Sequence, residues 1–265
     1  MYQIKLPKKI SNKQIREFFK KKKLDSVLNN KIGEATKVNK MLYSLPYKPD
    51  LNDLYRLYQF IILNKRTTVL EFGTGWSSLI FASALKELRN KFEKKIKLLR
   101  RNNPFELFIV DNEKKFFNIS KKRVKKFINK KNMKKVHFTF SDVQMTNYNG
   151  NIASEYKKIP LCNPDFIYLD GPDQFGVKKD INGISTKHKD MMPMSCDILK
   201  IEYFLTPGTI IVCDGRGANS KFLKDNLKRN WIYKNDLTND QHIFYLNDPL
   251  LGKYNKLQIK FYKNK

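Results

Sequence analysis

Ten residues, Val69-Leu70-Glu71-Phe72-Gly73-Thr74-Gly75-Trp76-Ser77-Ser78, constrain the fold of this chain more than any other stretch. A run with strand character enters a turn with glycine at alternate positions, and that turn opens at once into an apolar helical repeat. Glycine weakens strands and helices alike, so a pair at such a junction signals a backbone that takes positive φ or that a ligand approaches closely. The first amides of the following helix lack partners within it. Gly73, Thr74 and Gly75 are therefore the expected seat of a nucleotide-like ligand.

From Thr67 onward, short β-rich runs alternate with amphipathic helices, the pattern of a largely parallel sheet covered on both faces. Strands are predicted at 68–72, 107–110, 136–141, 166–169, 209–213, 231–234 and 242–246. Helices are predicted from Ser77 to about Arg89 with a Lys-rich continuation, from Glu113 to Ile128, around 196–204, and from Asn219 to Arg229. A turn-like segment, 235–240, separates the last two strands, which favours an antiparallel pair at the sheet edge. The expected fold is thus α/β: a Rossmann-like, seven-stranded, mostly parallel sheet with an antiparallel edge strand.

Residues 1–64 read as a Lys-rich helical extension preceding a domain at 65–265. Its helices are expected at Ser11 to Lys23 and Leu51 to Leu63, with Pro46 and Pro49 between them. The formal charge of +28 attracts phosphate or acidic lipid without specifying a fold or reaction. Nucleic acid is therefore one partner to weigh. Against it, the excess is mostly Lys in a chain also rich in Asn and Ile, residues with A/T-rich codons, and Arg, the better reader of base edges, is sparse. Cys162, Cys196 and Cys213 are odd in number and form no paired motif, as expected of reduced thiols in a cytoplasmic protein. No run approaches the ~18 apolar residues of a membrane span. The sequon at Asn118 is then a chance match.

Several acids are predicted at the carboxyl edge of the sheet, where open α/β folds bind ligands. Asp111 follows the second strand, and an adenosine ligand would need such an acceptor for its ribose. Asp170 and Asp173 lie in Pro164-Asp-Phe-Ile-Tyr-Leu-Asp-Gly-Pro-Asp173, after the fourth strand. Asp214-Gly215-Arg216 closes the fifth. Arg216 could fork onto an anionic substrate group or pair with Asp170 or Asp173. Between Gln174 and Asp197 the chain is long and polar, as substrate loops often are, and His188 within it is a candidate base or substrate contact.

Glu71-x-Gly73-x-Gly75 resembles motif I of class I S-adenosylmethionine-dependent methyltransferases, and the resemblance extends over roughly 67–246. A dinucleotide turn would carry Gly or Ala where Ser78 stands. The resemblance implies that Glu71, Gly73, Thr74 and Gly75 cradle the amino-acid part of S-adenosylmethionine, and that Asp142 and Val143, in Ser141-Asp142-Val143, meet the adenine. Base-modifying members carry an aromatic where this chain has Asp173, so base methylation loses support. Members acting on small-molecule hydroxyls hold Mg²⁺ on two acids and an Asn; Asp170 and Asp214 could supply the acids, but Gly215 replaces the Asn. The implied reaction is O-methylation of a small molecule or a glycan sugar, with Asp170 or Asp173 as base. RNA or protein methylation through the basic surface, a non-catalytic cofactor-binding module and a nicotinamide-dependent oxidoreductase are the alternatives.

Overall fold

The computed structural model describes residues 3–29, 48–187 and 194–263. Helices α1 (Asn12–Lys21), α2 (Asp25–Leu28) and α3 (Leu51–Leu63) precede the sheet. The sheet strands are β1 (Thr68–Phe72), β2 (Glu106–Asp111), β3 (Val136–Phe140), β6 (Phe166–Leu169), β8 (Ile210–Asp214), β9 (Trp231–Asp236) and β10 (Gln241–Leu246). They lie in the order β3-β2-β1-β6-β8-β10-β9. Neighbours from β3 through β8 are parallel, and β10 is antiparallel to both β8 and β9. The expected α/β sheet is thus present, with the last hairpin folded back so that β10 lies inside and β9 forms the edge.

Alternation of side chains splits the core into two layers. Val69, Leu107, Ile109, Phe166, Tyr168 and Val212 face α4 (Trp76–Ile96), α5 (Lys114–Phe127) and the N-terminal helices. Leu70, Phe72, Val110, Ile167, Leu169 and Cys213 face α7 (Asp197–Ile201) and α8 (Gly217–Asn226). Helix α3 buries Leu57, Phe60 and Ile61 in the first layer, and α1 adds Ile15 and Phe19. The helical extension therefore shares one continuous core with the sheet. Arg56 ties it to the far hairpin, donating to Gln241 Oε1 at 2.9 Å and Asp236 Oδ2 at 2.7 Å.

Helix α4 does take in the expected Lys-rich continuation, its inner face kept apolar by Leu88, Phe92 and Ile96. Several other elements depart from the expected pattern. β3 stops at Phe140. Val143, expected at the close of that strand, instead begins β4 (Val143–Tyr148), which turns at Asn149-Gly150 into β5 (Asn151–Tyr156). With β7 (Val177–Lys178) these form a second sheet, so part of the expected loop after Gln174 is structured. The short α6 (Lys130–Met133) and the C-terminal α9 (Lys253–Lys263) are further additions.

The amino edge of the sheet is locked around a fully buried carboxylate. Asp165 accepts from the Thr67 amide at 2.9 Å, the Thr68 amide at 2.9 Å, the Thr67 hydroxyl at 2.7 Å and the Tyr262 hydroxyl of α9 at 2.7 Å. Arg101 lies 3.6 Å away. A buried charge needs such a full set of partners.

Candidate active site

The strand order reverses at β1: α4 leads to β2 on one side, and the chain later returns to place β6 on the other. A crevice outside the carboxyl ends of these strands follows from that topology. The structure brings Glu71, Thr74, Asp111, Asp170, Asp214 and Arg216 to this edge.

Glu71 points from β1 toward the start of α4 and is fully buried. Its Oε1 accepts from the Ser77 hydroxyl at 2.5 Å, while Oε2 has no hydrogen-bond partner among the described residues. Burial pushes its carboxyl up to about 8, and the negative neighbours Asp170 and Asp111 add to the rise against the hydroxyls of Ser77 and Ser78. Ser78, buried beneath the turn, accepts from the Gly75 amide at 3.4 Å.

The two glycines of the turn do different things. Gly73 has φ +91°, and a Cβ there would lie 2.8 Å from the Gly171 nitrogen and 2.9 Å from the Asp170 carbonyl. Gly171 is its mirror: a Cβ would come within 2.5 Å of the Gly73 nitrogen. These residues let the loops after β1 and β6 touch, backbone against backbone. Gly75 is extended, with φ −163°, and a Cβ there would meet nothing nearer than the Ser77 hydroxyl at 3.5 Å. Only Gly75 keeps the open approach that a ligand could use.

Asp111 is buried, and both its oxygens are engaged. Oδ2 accepts from the Thr74 amide at 2.7 Å and hydroxyl at 2.8 Å, and Oδ1 from the Glu113 amide at 2.6 Å. Burial raises its carboxyl to about 6 against these donors. It thereby fixes the glycine turn and the start of α5; lone pairs left on a carboxylate with three donors can still take a hydroxyl.

Asp170 is half exposed. The surrounding protein and the charges of Asp214 and Asp111 raise its carboxyl, while Arg216 opposes them. Arg216 Nε is 3.9 Å from Asp170 Oδ1, its Nη2 donates to the Pro172 carbonyl at 2.9 Å, and its buried Nη1 has no partner among the described residues. Asp173 serves its own loop: Oδ2 accepts from the Gly176 amide at 2.7 Å, and its amide donates to Asn112 Oδ1 at 2.9 Å. Asp214 Oδ2 accepts from the Tyr168 hydroxyl at 2.9 Å. Among the described residues, no group of three or more His, Cys, Asp or Glu is arranged to hold a metal. Asp170 and Asp214 thus find no third ligand of those types among the described residues, and Gly215 offers no side-chain oxygen where the resemblance would place an Asn.

Asp142 and Val143 lie further out. Val143 is buried in the second core layer, and Asp142 pairs with Lys178 at 2.8 Å and Lys157 at 3.7 Å, contacts that lower its carboxyl, Lys178 most. His188 falls outside the described residues. Sequence reasoning did not single out Tyr156, whose ring centroid is 5.9 Å from that of Phe72 and whose buried hydroxyl has no partner among the described residues. Nor did it single out Asp53 of α3, raised to about 8 by burial and then by Asp214 and Asp50.

No protein-family model matches the chain, and no curated protein is detectably similar to it. Among solved structures it is similar to SAH-bound methyltransferase PaMTH1 of Podospora anserina. Identity is 12% and the TM-score 0.42, over 91% of this chain and 99% of that one. Among the described residues no helix is long and apolar enough to cross a membrane.

Proposed function

We propose that this protein binds S-adenosylmethionine at the β1 turn and transfers its methyl group to a hydroxyl of a small molecule or glycan sugar. One observation carries the reading: Glu71, Asp111, Asp170 and Asp214 gather at the carboxyl edge of the sheet, each with its carboxyl raised, and a buried Glu71 oxygen has no hydrogen-bond partner among the described residues. A pyrophosphate would add negative charge there and meet repulsion. A ligand carrying an ammonium and a sulfonium would relieve the repulsion and supply the missing donor. That favours the methyl donor over a dinucleotide.

Bound, the donor would supply a methyl group already activated by its sulfonium. The chain's own residues must align the acceptor, exclude water and take up a proton. Glu71 would receive the ammonium. Gly75 would let the ligand reach the α4 amides, and Asp111 would hold the turn and take a ribose hydroxyl. Asp170 is the base this reading favours, since it is half exposed at the carboxyl end of β6 and its raised carboxyl is matched to proton transfer near neutral pH. Asp173 is less available, because its carboxylate already caps the loop.

Thermal shift compares the ligand classes directly. S-adenosylhomocysteine at about a hundred times its dissociation constant should add about 2.7 kcal/mol of stability, with NAD⁺ and NADP⁺ adding none at the same concentration. Stabilisation by either dinucleotide alone would reverse the assignment. Once an acceptor is in hand, Asp170→Asn should lower turnover by about 10²–10⁴-fold with S-adenosylhomocysteine affinity held within a few-fold. Undiminished turnover would remove Asp170 from that role.

A further inference from the structure

The edge of the sheet opposite the crevice carries a groove of about 1020 Å³, lined by residues just before the strands, among them Thr68, Asn103, Pro164 and Thr206. Among the described residues no carboxylate lines it, and Arg100 and Arg101 do. The Arg101 guanidinium is committed inward, to Thr68, Asn163 and Asp165. Arg100 is exposed and lies over the Tyr254 ring, 5.2 Å from its centroid.

Apolar side chains protrude around this groove from separate parts of the chain. Leu161 is 97% exposed, Phe204 77%, Leu98 76% and Leu251 66%, with Tyr203 and Tyr254 beside them. Exposed cations stand next to them in the chain: Lys97, Lys253 and Lys256. Exposed leucines singly need no explanation, but a group on one edge, rimmed by positive charge, does. Tips this exposed offer little shape to a rigid partner. They suit a fluid phase that closes around each of them, with tyrosines at the boundary and cations above it.

We propose that this edge docks on the surface of an anionic lipid bilayer, with Leu98, Leu161, Phe204 and Leu251 entering the headgroup region and the surrounding Lys and Arg meeting lipid phosphates. Such docking would leave the crevice facing away from the membrane. The inference is independent of the methyl-transfer reading.

Vesicle flotation tests it with the full chain. Vesicles of phosphatidylcholine with about a third phosphatidylglycerol should bind the protein, pure phosphatidylcholine should not, and salt should weaken the binding. The double change Leu161→Ser, Phe204→Ser should weaken binding about tenfold or more without moving the melting temperature, because both side chains protrude. Lys97→Glu with Lys253→Glu should cost at least roughly fivefold per charge, and Lys13→Glu with Lys20→Glu on α1 distinctly less. Three results would overturn the proposal. One is no binding to the anionic vesicles. Another is equal loss from both lysine pairs with none from the apolar pair. The last is a dimer in light scattering that the apolar pair dissociates, since this face would then be an interface between copies.

Discussion

Gly73→Ala is expected to destabilise the protein by about 3 kcal/mol or more, whereas Gly75→Ala should leave the fold intact and abolish binding of the methyl donor. At Gly73 the new Cβ would overlap backbone atoms of Asp170 and Gly171 at 2.8–2.9 Å, at φ +91°. Backbone cannot move aside as a side-chain tip can, and the positive φ adds strain for any L-residue. At Gly75 the nearest atom is a hydroxyl at 3.5 Å and the backbone is extended, so among the described residues a methyl group makes no more than ordinary van der Waals contact. It would occupy the approach assigned to the ligand. Urea denaturation of both variants, paired with S-adenosylhomocysteine titration, separates the roles. If Gly75→Ala binds normally, the ligand does not lie against this turn.

The second large effect is electrostatic. Glu71 titrates at 4.5 when exposed and at about 8 in the fold, chiefly through burial. Because the folded value is the higher one, the native state holds the proton more tightly than the unfolded chain. The associated stability is complete below about pH 4.5 and is lost as pH rises through 8, amounting at most to about 4–5 kcal/mol for a fully buried group. Asp170, Asp214, Asp111, Asp197 and Asp53 are shifted in the same direction. The ligand-free protein should therefore melt higher at pH 6 than at pH 8.5, and Glu71→Gln should flatten that slope. Ligand should change it too, because an ammonium beside Oε2 stabilises the carboxylate. S-adenosylhomocysteine affinity should then rise between pH 6 and 8 in the wild type and be weak and nearly level in Glu71→Gln. Parallel melting profiles for the two proteins would show that Glu71 does not carry the dependence.

The core of this architecture was legible because its signals are local. Leu51–Leu63 shows helical apolar spacing, and the structure gives it those same bounds and caps it with Asp50. The β1 turn announces itself by glycine between a β-rich run and an apolar helix. Glycine chemistry alone, however, could not divide the work between Gly73 and Gly75. One answers to the loop after β6, nearly a hundred residues away, and such a contact leaves no mark in the neighbouring sequence. The β4–β5 hairpin had a signal that went unread: Asn149-Gly150, both at positive φ, is a strong hairpin turn. Its flanks, with Gln144, Thr146, Asn147 and Asn151, are too polar to look like strands. Helix α9 was hidden in the same way, since its buried Asn255 and Gln258 face a polar interior around Pro207 and Tyr262. Asp111 was recognised as an acid at the right strand end, but its bonds to Thr74 and Glu113 depend on the folded loop.

The buried knot at Asp165 bears on how the chain is made. Its donors come from Thr67 and Thr68 at the entrance to the first strand and from Tyr262 in the final helix, and Arg66 stacks on that same Tyr262 ring, 4.0 Å from its centroid. During translation the earliest strand therefore waits, incompletely anchored, for a tyrosine added almost two hundred residues later. A ribosome-bound intermediate halted before that point would hold the carboxylate without one of its partners, and chaperone dependence should be greatest in that interval.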